Sequence, residues 1–242
     1  MERKVIISLA PVKAGVCIDY EKLAEDVAAC VRLGATVCHL HARSEDGSLS
    51  PDDSYMRKCF EAILEKEEVI VQASTGGVSD MTIQERCNPL NYKKVESASL
   101  NGGSTNLGSL LYKNTLEEIV FCAKQTYERG ILPEIEVFDI GMIQNILTIQ
   151  KNKEAEFKNP LMFNLVFGHR GGMQATMESL IAMRQFVPQN ALWGVTHYGR
   201  DNWHFLAAAI AMGASLVRIG FEDSDYLDEQ RTAATNVDVV KR

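Results

Sequence analysis

The segment Cys38-His39-Leu40-His41-Ala42-Arg43 sets two imidazoles two residues apart. In an extended strand alternate side chains share a face, so His39 and His41 point one way while Cys38 and Leu40 point the other. Two imidazoles on one side can grip a single divalent ion, with bonds of about 2.0–2.1 Å for zinc. An arbitrary HxH is more often two polar residues in a strand, but two histidines facing an enclosed interior are costly to bury without a partner. A third ligand has to come from elsewhere. Arg218-Ile219-Gly220-Phe221-Glu222-Asp223 ends the last apolar run, and alternation puts Arg218, Gly220 and Glu222 on one face, which makes Glu222 the ligand candidate. Asp223 falls where strand becomes loop and parity no longer fixes its direction. Two histidines and a carboxylate leave coordination positions open, as a catalytic ion requires and a closed structural ion does not.

Other apolar runs also end in polar or glycine-rich residues: Ser74-Thr75-Gly76-Gly77, Ser99-Leu100-Asn101-Gly102-Gly103-Ser104, and Glu136 with Asp139. Glycines let backbone N–H groups approach a ligand, and hydroxyl and amide groups orient a carboxylate or carbonyl. Gly168-His169-Arg170-Gly171-Gly172-Met173 and Gly199-Arg200 add two arginines near backbone donors, a setting that suits an anionic group such as phosphate.

The elements that must position these residues are short β-branched runs with amphipathic stretches between them. The runs are Val5–Ala10, Thr36–Ala42, Val69–Ser74, Ser97–Asn101, Ile135–Asp139, Met162–Phe167, Leu192–Tyr198 and Leu216–Phe221. Helices are expected over Tyr20–Leu33, Asp52–Lys66, Thr115–Arg129, Gly141–Gln150, Ala175–Phe186 and Trp203–Met212, with the third and eighth crossovers carrying the faintest pattern. Strands alternating with helices imply parallel pairing through right-handed crossovers. Eight such units favour a closed α/β barrel of the (β/α)₈ or TIM type, one domain over residues 1–242. The first run lacks the GxGxxG sequel of a dinucleotide fold. In such a barrel the chemistry belongs at the C-terminal ends of the strands, where every candidate above lies.

Lys+Arg 25 against Asp+Glu 32 gives a net charge of −7 in 242 residues, with no basic run, so nucleic acid and anionic membranes are not expected partners. The start, Met1-Glu2-Arg3-Lys4 before Val5–Ala10, reads as a buried first strand, since its apolar run is broken by Pro11 and Lys13 without a cleavage site. The six cysteines form no CxxC and lie mostly in apolar segments, as reduced thiols of a cytoplasmic protein would.

Taken together, HLHAR, QASTGG, SLNGGSTNLG, LPEIEVFDIGM, the glycine pair of GHRGGM, Gly199-Arg200 and VRIGFEDSDYL resemble the β-keto acid cleavage enzymes, of the 3-keto-5-aminohexanoate cleavage type. The resemblance runs from the first strand to Asn236. It implies a zinc-dependent (β/α)₈ transferase, other divalent ions being alternatives, that turns a β-keto acid and acetyl-CoA into acetoacetate and a new acyl-CoA. By motif, His39, His41 and Glu222 would hold the metal, and Ser74, Arg218 and Asp223 would serve catalysis. Ser99, Asn101 and Glu136, with Thr75 and Gly76, would line the substrate site. Arg170, Gly171, Gly172 and Arg200 are the candidates for acetyl-CoA.

Three departures bear on the carry-over. Members that act on an aminated substrate carry an acid just after strand one, where this chain has Pro11-Val12-Lys13-Ala14-Gly15, so a neutral or anionic tail is expected. Strand seven ends in Thr196-His197-Tyr198, which leaves His197 either facing the substrate or packed. Family members usually continue beyond the position of Arg242, so assembly contacts from such an extension are not carried over, although a homo-oligomer is expected. Two other classes stay open: a metal-dependent barrel hydrolase, whose HxH belongs on strand one rather than strand two, and a non-catalytic metal- or ligand-binding barrel.

Overall fold

In a computed structural model, which describes residues 4–242, eight parallel strands pair in chain order and close on themselves. They are Ile6–Leu9, Ala35–Leu40, Ile70–Ser74, Ser97–Asn101, Leu132–Val137, Met162–Phe167, Leu192–His197 and Leu216–Ile219. Strand one pairs with strand eight, Ser8 opposite Arg218, which completes the ring. Met1–Arg3 lie outside the described residues, and the first strand begins at Ile6 within the expected run.

Alternation along each strand separates two environments. The outward set, Leu9, Cys38, Leu40, Val71, Ala73, Leu100, Ile135, Val137, Phe163, Leu165, Val195, Val217 and Ile219, is apolar and buried against the helices. Each such large side chain contributes about 1.5–3 kcal/mol by leaving water. The inward set is mostly polar in its middle and upper layers, Val166 apart: Ser8, His39, Gln72, Ser74, Ser99, Asn101, Glu134, Glu136, Asn164, Thr196 and Arg218, all buried. Bulky aliphatic layers usually fill such a barrel. Here hydrogen bonds do so.

The helices start where the sequence offers caps. Asp19 accepts from the Glu21 and Lys22 amides ahead of Tyr20–Arg32, and Thr115 with Glu118 forms a reciprocal capping box ahead of Leu116–Glu128. Ser54–Leu64, Ile140–Lys151, Met177–Phe186 and His204–Met212 lie within two residues of expectation. Strand five ends at Val137 rather than Asp139, because Asp139 caps the next helix by accepting from the Met142 amide at 3.0 Å. The third crossover shrinks to the helical turn Ile83–Arg86 and a 3₁₀ turn, Asn88–Asn91, and the eighth to Asn236–Val240.

Two hairpins were not foreseen: Thr105–Leu107 with Leu110–Tyr112 after strand four, and Tyr226–Asp228 with Arg231–Thr232 after strand eight. Strands of two or three residues leave no period to read. Among the described residues no helix is long and apolar enough to cross a membrane. All six cysteines are free, and burial pushes the Cys30 and Cys59 thiols up to about 12 and about 11.

Candidate active site

His39 lies inside strand two and His41 just beyond its end, yet the parity persists. Their rings meet edge to face at 5.2 Å, and Glu222 Oε1 lies 3.8 Å from His39 Nε2 and 3.3 Å from His41 Nε2. Two donors bound to one tetrahedral zinc at about 2.0–2.2 Å stand roughly 3.4 Å apart, so these spacings fit an ion. Each Nδ1 already has an acceptor: the Gln72 carbonyl oxygen for His39 at 2.7 Å and the Gly76 carbonyl for His41 at 3.1 Å. That leaves both Nε2 atoms turned towards Glu222, the usual division of labour in a metal-binding imidazole. His39 Nε2 is buried with no hydrogen-bond partner, and burial lowers the His39 pKa to about 3, so the ring stays neutral.

The chain brings Glu222 there by turning sharply after Ile219. Gly220 has φ +130°, and a Cβ on it would come within 2.3 Å of the Ala10 carbonyl oxygen. The Glu222 amide then donates to Ala10 and the Asp223 amide folds back to Gly220. Asp223, undetermined by parity, thereby swings onto Arg218. Arg218 Nε and Nη2 grip both Asp223 oxygens at 3.0 and 2.7 Å, Nη1 donates to Glu136 at 2.8 Å, and Nη2 also reaches Glu222 at 3.2 Å.

One guanidinium thus faces three carboxyls. Burial lowers the Arg218 pKa, but Asp223 and Glu222 outweigh it and keep the group charged. Burial likewise raises Glu222, yet His41 and Arg218 together hold it well below the usual carboxylate range. For Glu136 burial prevails over Arg218 and lifts the carboxyl to about 7, and Asp223 too is raised by burial against the opposing pull of Arg218. The cluster holds more acid than its one arginine can balance, which suits a cation among these ligands.

Ser74 and Ser99 face each other across strands three and four, Oγ to Oγ 3.2 Å. Asn101 accepts from the Gly103 amide, while its Nδ2 is buried without a partner beside Glu136 in the register. Gly76 is required by a neighbour, since a Cβ there would stand 1.8 Å from the Tyr112 hydroxyl.

Two expected contacts lie elsewhere, and His197, open between the substrate and packing, packs. Thr75 turns outward, donating to the Ser99 carbonyl at 2.6 Å and accepting from Cys122 on a helix, so its hydroxyl does not face the barrel mouth. Arg170 is exposed on the loop after strand six, but Arg200 is 2% exposed, lies over the Trp203 ring and donates to the Tyr226 carbonyl, so it is no surface partner of Arg170. The odd parity of position 197 sends His197 against Phe205 of a covering helix, 5.1 Å ring to ring. Gly171 and Gly172 sit in the same loop as Arg170, and Gly171 abuts the Asn106 carbonyl of the first hairpin.

The family model described as beta-keto acid cleavage enzyme matches residues 10–242. The chain belongs to that family. It is 38% identical over 224 residues to "3-keto-5-aminohexanoate cleavage enzyme" of Fusobacterium nucleatum subsp. nucleatum, covering 92% of this chain and 80% of that protein. It is 30% identical over 223 residues to "3-oxoadipate:acetyl-CoA acetyltransferase" of Cupriavidus necator, covering 90% and 76%. A ternary complex of ObcA with a C4-CoA adduct and oxalate shares the fold, with TM-score 0.76 at 18% identity over 93% of this chain. This chain spans 62% of that longer one.

Several residues at the site escaped sequence reasoning. Tyr112 reaches Gly76 from the first hairpin, receives the Gly77 N–H and is raised by burial. His169 stacks on Tyr198 at 3.8 Å and is lowered to about 4 by burial, with Arg218 adding to it. Gln72 and Glu134 occupy the barrel interior below the histidines. For the last two a signal existed: inward parity with a polar residue. The hairpin gave none.

Proposed function

We propose that this chain is a zinc-dependent transferase that exchanges an acyl group between a β-keto acid and acetyl-CoA, yielding acetoacetate and a new acyl-CoA. The observation that carries the reading is the convergence of His39 Nε2, His41 Nε2 and Glu222, all ligand atoms within 4.8 Å, beside a buried Arg218–Asp223 pair. When bound by these three, a divalent ion would supply Lewis acidity to the keto and carboxylate oxygens of the substrate.

Asp223 takes the C2 proton, a task favoured by burial that raises its basicity while Arg218 fixes both its oxygens. The C2 carbanion attacks the acetyl carbon of acetyl-CoA, and the C–S bond breaks to release the thiolate. The thiolate adds to the original keto carbon, and the bond from that carbon to C2 breaks. The electron pair stays on C2 of acetoacetate, which takes the proton back from Asp223. Ser74 and Ser99 offer hydroxyls to the substrate carboxylate, and Asn101 Nδ2 supplies a donor with no competing partner. Glu136 orients Arg218. Arg170, with the backbone of Gly171 and Gly172, offers an exposed cation to the phosphates of acetyl-CoA.

For the acyl tail, Lys13 is exposed on the first loop and favours a neutral or anionic group. Glu45 and Asp46 reach the same loop from the second, through Ile18 N to Glu45 O at 2.9 Å and Cys17 Sγ to Asp46 O at 3.7 Å, so the balance of charge decides the tail. Leu110 and Leu111, exposed on the first hairpin, support self-association, and six free thiols support a cytoplasmic setting. The test is free acetoacetate formed from acetyl-CoA and a panel of β-keto acids. No acetoacetate from any of them, with zinc bound, overturns the reading.

A further inference from the structure

We propose that Gln72, held in one orientation by Glu134, is a positioning residue that fixes the tautomer of His39. The inference deepens the metal reading above and rests on it only for its affinity arm. A chain of side-chain hydrogen bonds crosses the barrel interior below the site. Thr196 donates to Asn164 Oδ1 at 3.0 Å, Asn164 Nδ2 donates to Glu134 Oε1 at 2.6 Å, and Gln72 Nε2 donates to Glu134 Oε2 at 2.9 Å. Gln72 Oε1 then lies 2.7 Å from His39 Nδ1. All of these side chains are buried, so water offers no alternative partner.

An amide can usually be turned over without changing its shape, which exchanges donor for acceptor. Here it cannot. Both oxygens of Glu134 accept N–H groups, and turning Gln72 over would set its oxygen 2.9 Å from a carboxylate oxygen. With Nε2 committed to Glu134, and also within 3.0 Å of Ser97 Oγ, Oε1 is the atom left for His39. His39 therefore carries its hydrogen on Nδ1 and presents a lone pair at Nε2, towards His41 and Glu222. His41 is set differently, by the Gly76 backbone carbonyl, which cannot be turned over. The two histidines should respond separately to changes at position 72.

Nitrogen-15 NMR of the metal-free protein reads the tautomers directly, and in the wild type His39 is expected as Nδ1–H. Gln72→Leu should release His39 from that form while His41 keeps it, and should weaken zinc binding roughly 10–100-fold by calorimetry. Gln72→Glu alone sets two carboxyls against each other and should lower stability. Gln72→Glu with Glu134→Gln restores the polarity, since the new amide can donate to position 72 and accept from Asn164. The double variant should regain stability, the Nδ1–H form and wild-type zinc affinity. His39 as Nε2–H in the wild type, an unchanged tautomer and affinity in Gln72→Leu, or a double variant no better than Gln72→Glu would each overturn the inference. A wild type that shows the Nδ1–H form yet binds no zinc would strike the metal reading instead and leave this one standing.

Discussion

Glu136→Gln replaces a titrating carboxyl with an amide of the same outline, whose oxygen can still accept from Arg218 Nη1, now at 2.8 Å. In the wild type two influences compete over this group. Arg218 favours its charge, but that guanidinium is shared with Asp223 and Glu222, while burial and the nearby Glu134 disfavour it, and the carboxyl rises from 4.5 to about 7. The unfolded chain therefore loses this proton near pH 4.5, whereas the folded chain holds it until about pH 7. Folded protein binds the extra proton in that window, so the contribution to stability is fully present below about pH 4.5 and is lost as pH rises through about 7. At 1.36 kcal/mol per pH unit the loss comes to about 3 kcal/mol. Urea unfolding of both zinc-free proteins from about pH 4.5 to about pH 8 reads it as a difference, in which titrating groups remote from Glu136 cancel. The wild type should lose about 3 kcal/mol relative to the variant across that range. Parallel profiles would refute the argument, and a wild type gaining on the variant would show that Arg218 wins the competition.

His39→Ala and His41→Ala should each lose zinc by elemental analysis, and a folded double variant with full zinc content would remove the ligand assignment. Asp223→Asn should keep zinc and lose turnover by about 10²–10⁴-fold, and Arg218→Lys should be as severe because an ammonium cannot hold both Asp223 oxygens and Glu136 together. Near-normal activity with normal zinc in Asp223→Asn would move the base to Glu136, Asp139 being engaged as a helix cap. Gly76→Ala sets a methyl 1.8 Å from the Tyr112 hydroxyl and should cost about 1–3 kcal/mol in thermal unfolding, part of it recovered by adding Tyr112→Phe. If Lys13 sets tail selectivity, Lys13→Ala should lower kcat/KM for a keto-diacid relative to neutral and amino-tailed substrates, and unchanged ratios would leave the choice to Glu45 and Asp46.

The closed barrel was legible because the strands kept a largely apolar outer face, broken at His197, and most helices kept a capped amphipathic period. Glu222 was named by strand parity, although the turn at Gly220 is what brings it to the histidines. His39 and His41 were legible through parity, which survives one residue past a strand end, as at His41. It fails where the chain turns. Asp223 is placed by Gly220 and its approach to Ala10, a contact between residues more than 200 positions apart that no local pattern encodes. The placing of Arg200 and Thr75 failed for the opposite reason. Their types suit a ligand contact, but Arg200 is buried over Trp203, donating to the Tyr226 carbonyl with its Nε and Nη1 left unpaired, and the Ser99 carbonyl takes up Thr75. Gln72 and Glu134 could have been read from inward parity, but a polar layer runs against the aliphatic filling expected of a barrel.

The two acids at 222 and 223 are neighbours in sequence and share Arg218, Glu222 half-buried and Asp223 buried, yet their affinities for a proton move in opposite directions. The difference lies in what else each one meets. Glu222 faces His41 and His39 in addition to Arg218, and their combined pull exceeds the cost of burial, so it stays ionised as a ligand must. Asp223 has Arg218 close by, with Arg200 as a lesser cation and Glu222 opposing, so burial prevails and its carboxylate becomes the more avid base. Titratable groups driven apart in this way mark a division between charge stabilisation and proton transfer. A strand that continued straight past Ile219 would leave alternation to send 222 and 223 to opposite faces. The turn at Gly220 instead keeps both beside one guanidinium, so a two-residue acid sequence places the proposed metal ligand next to the proposed base.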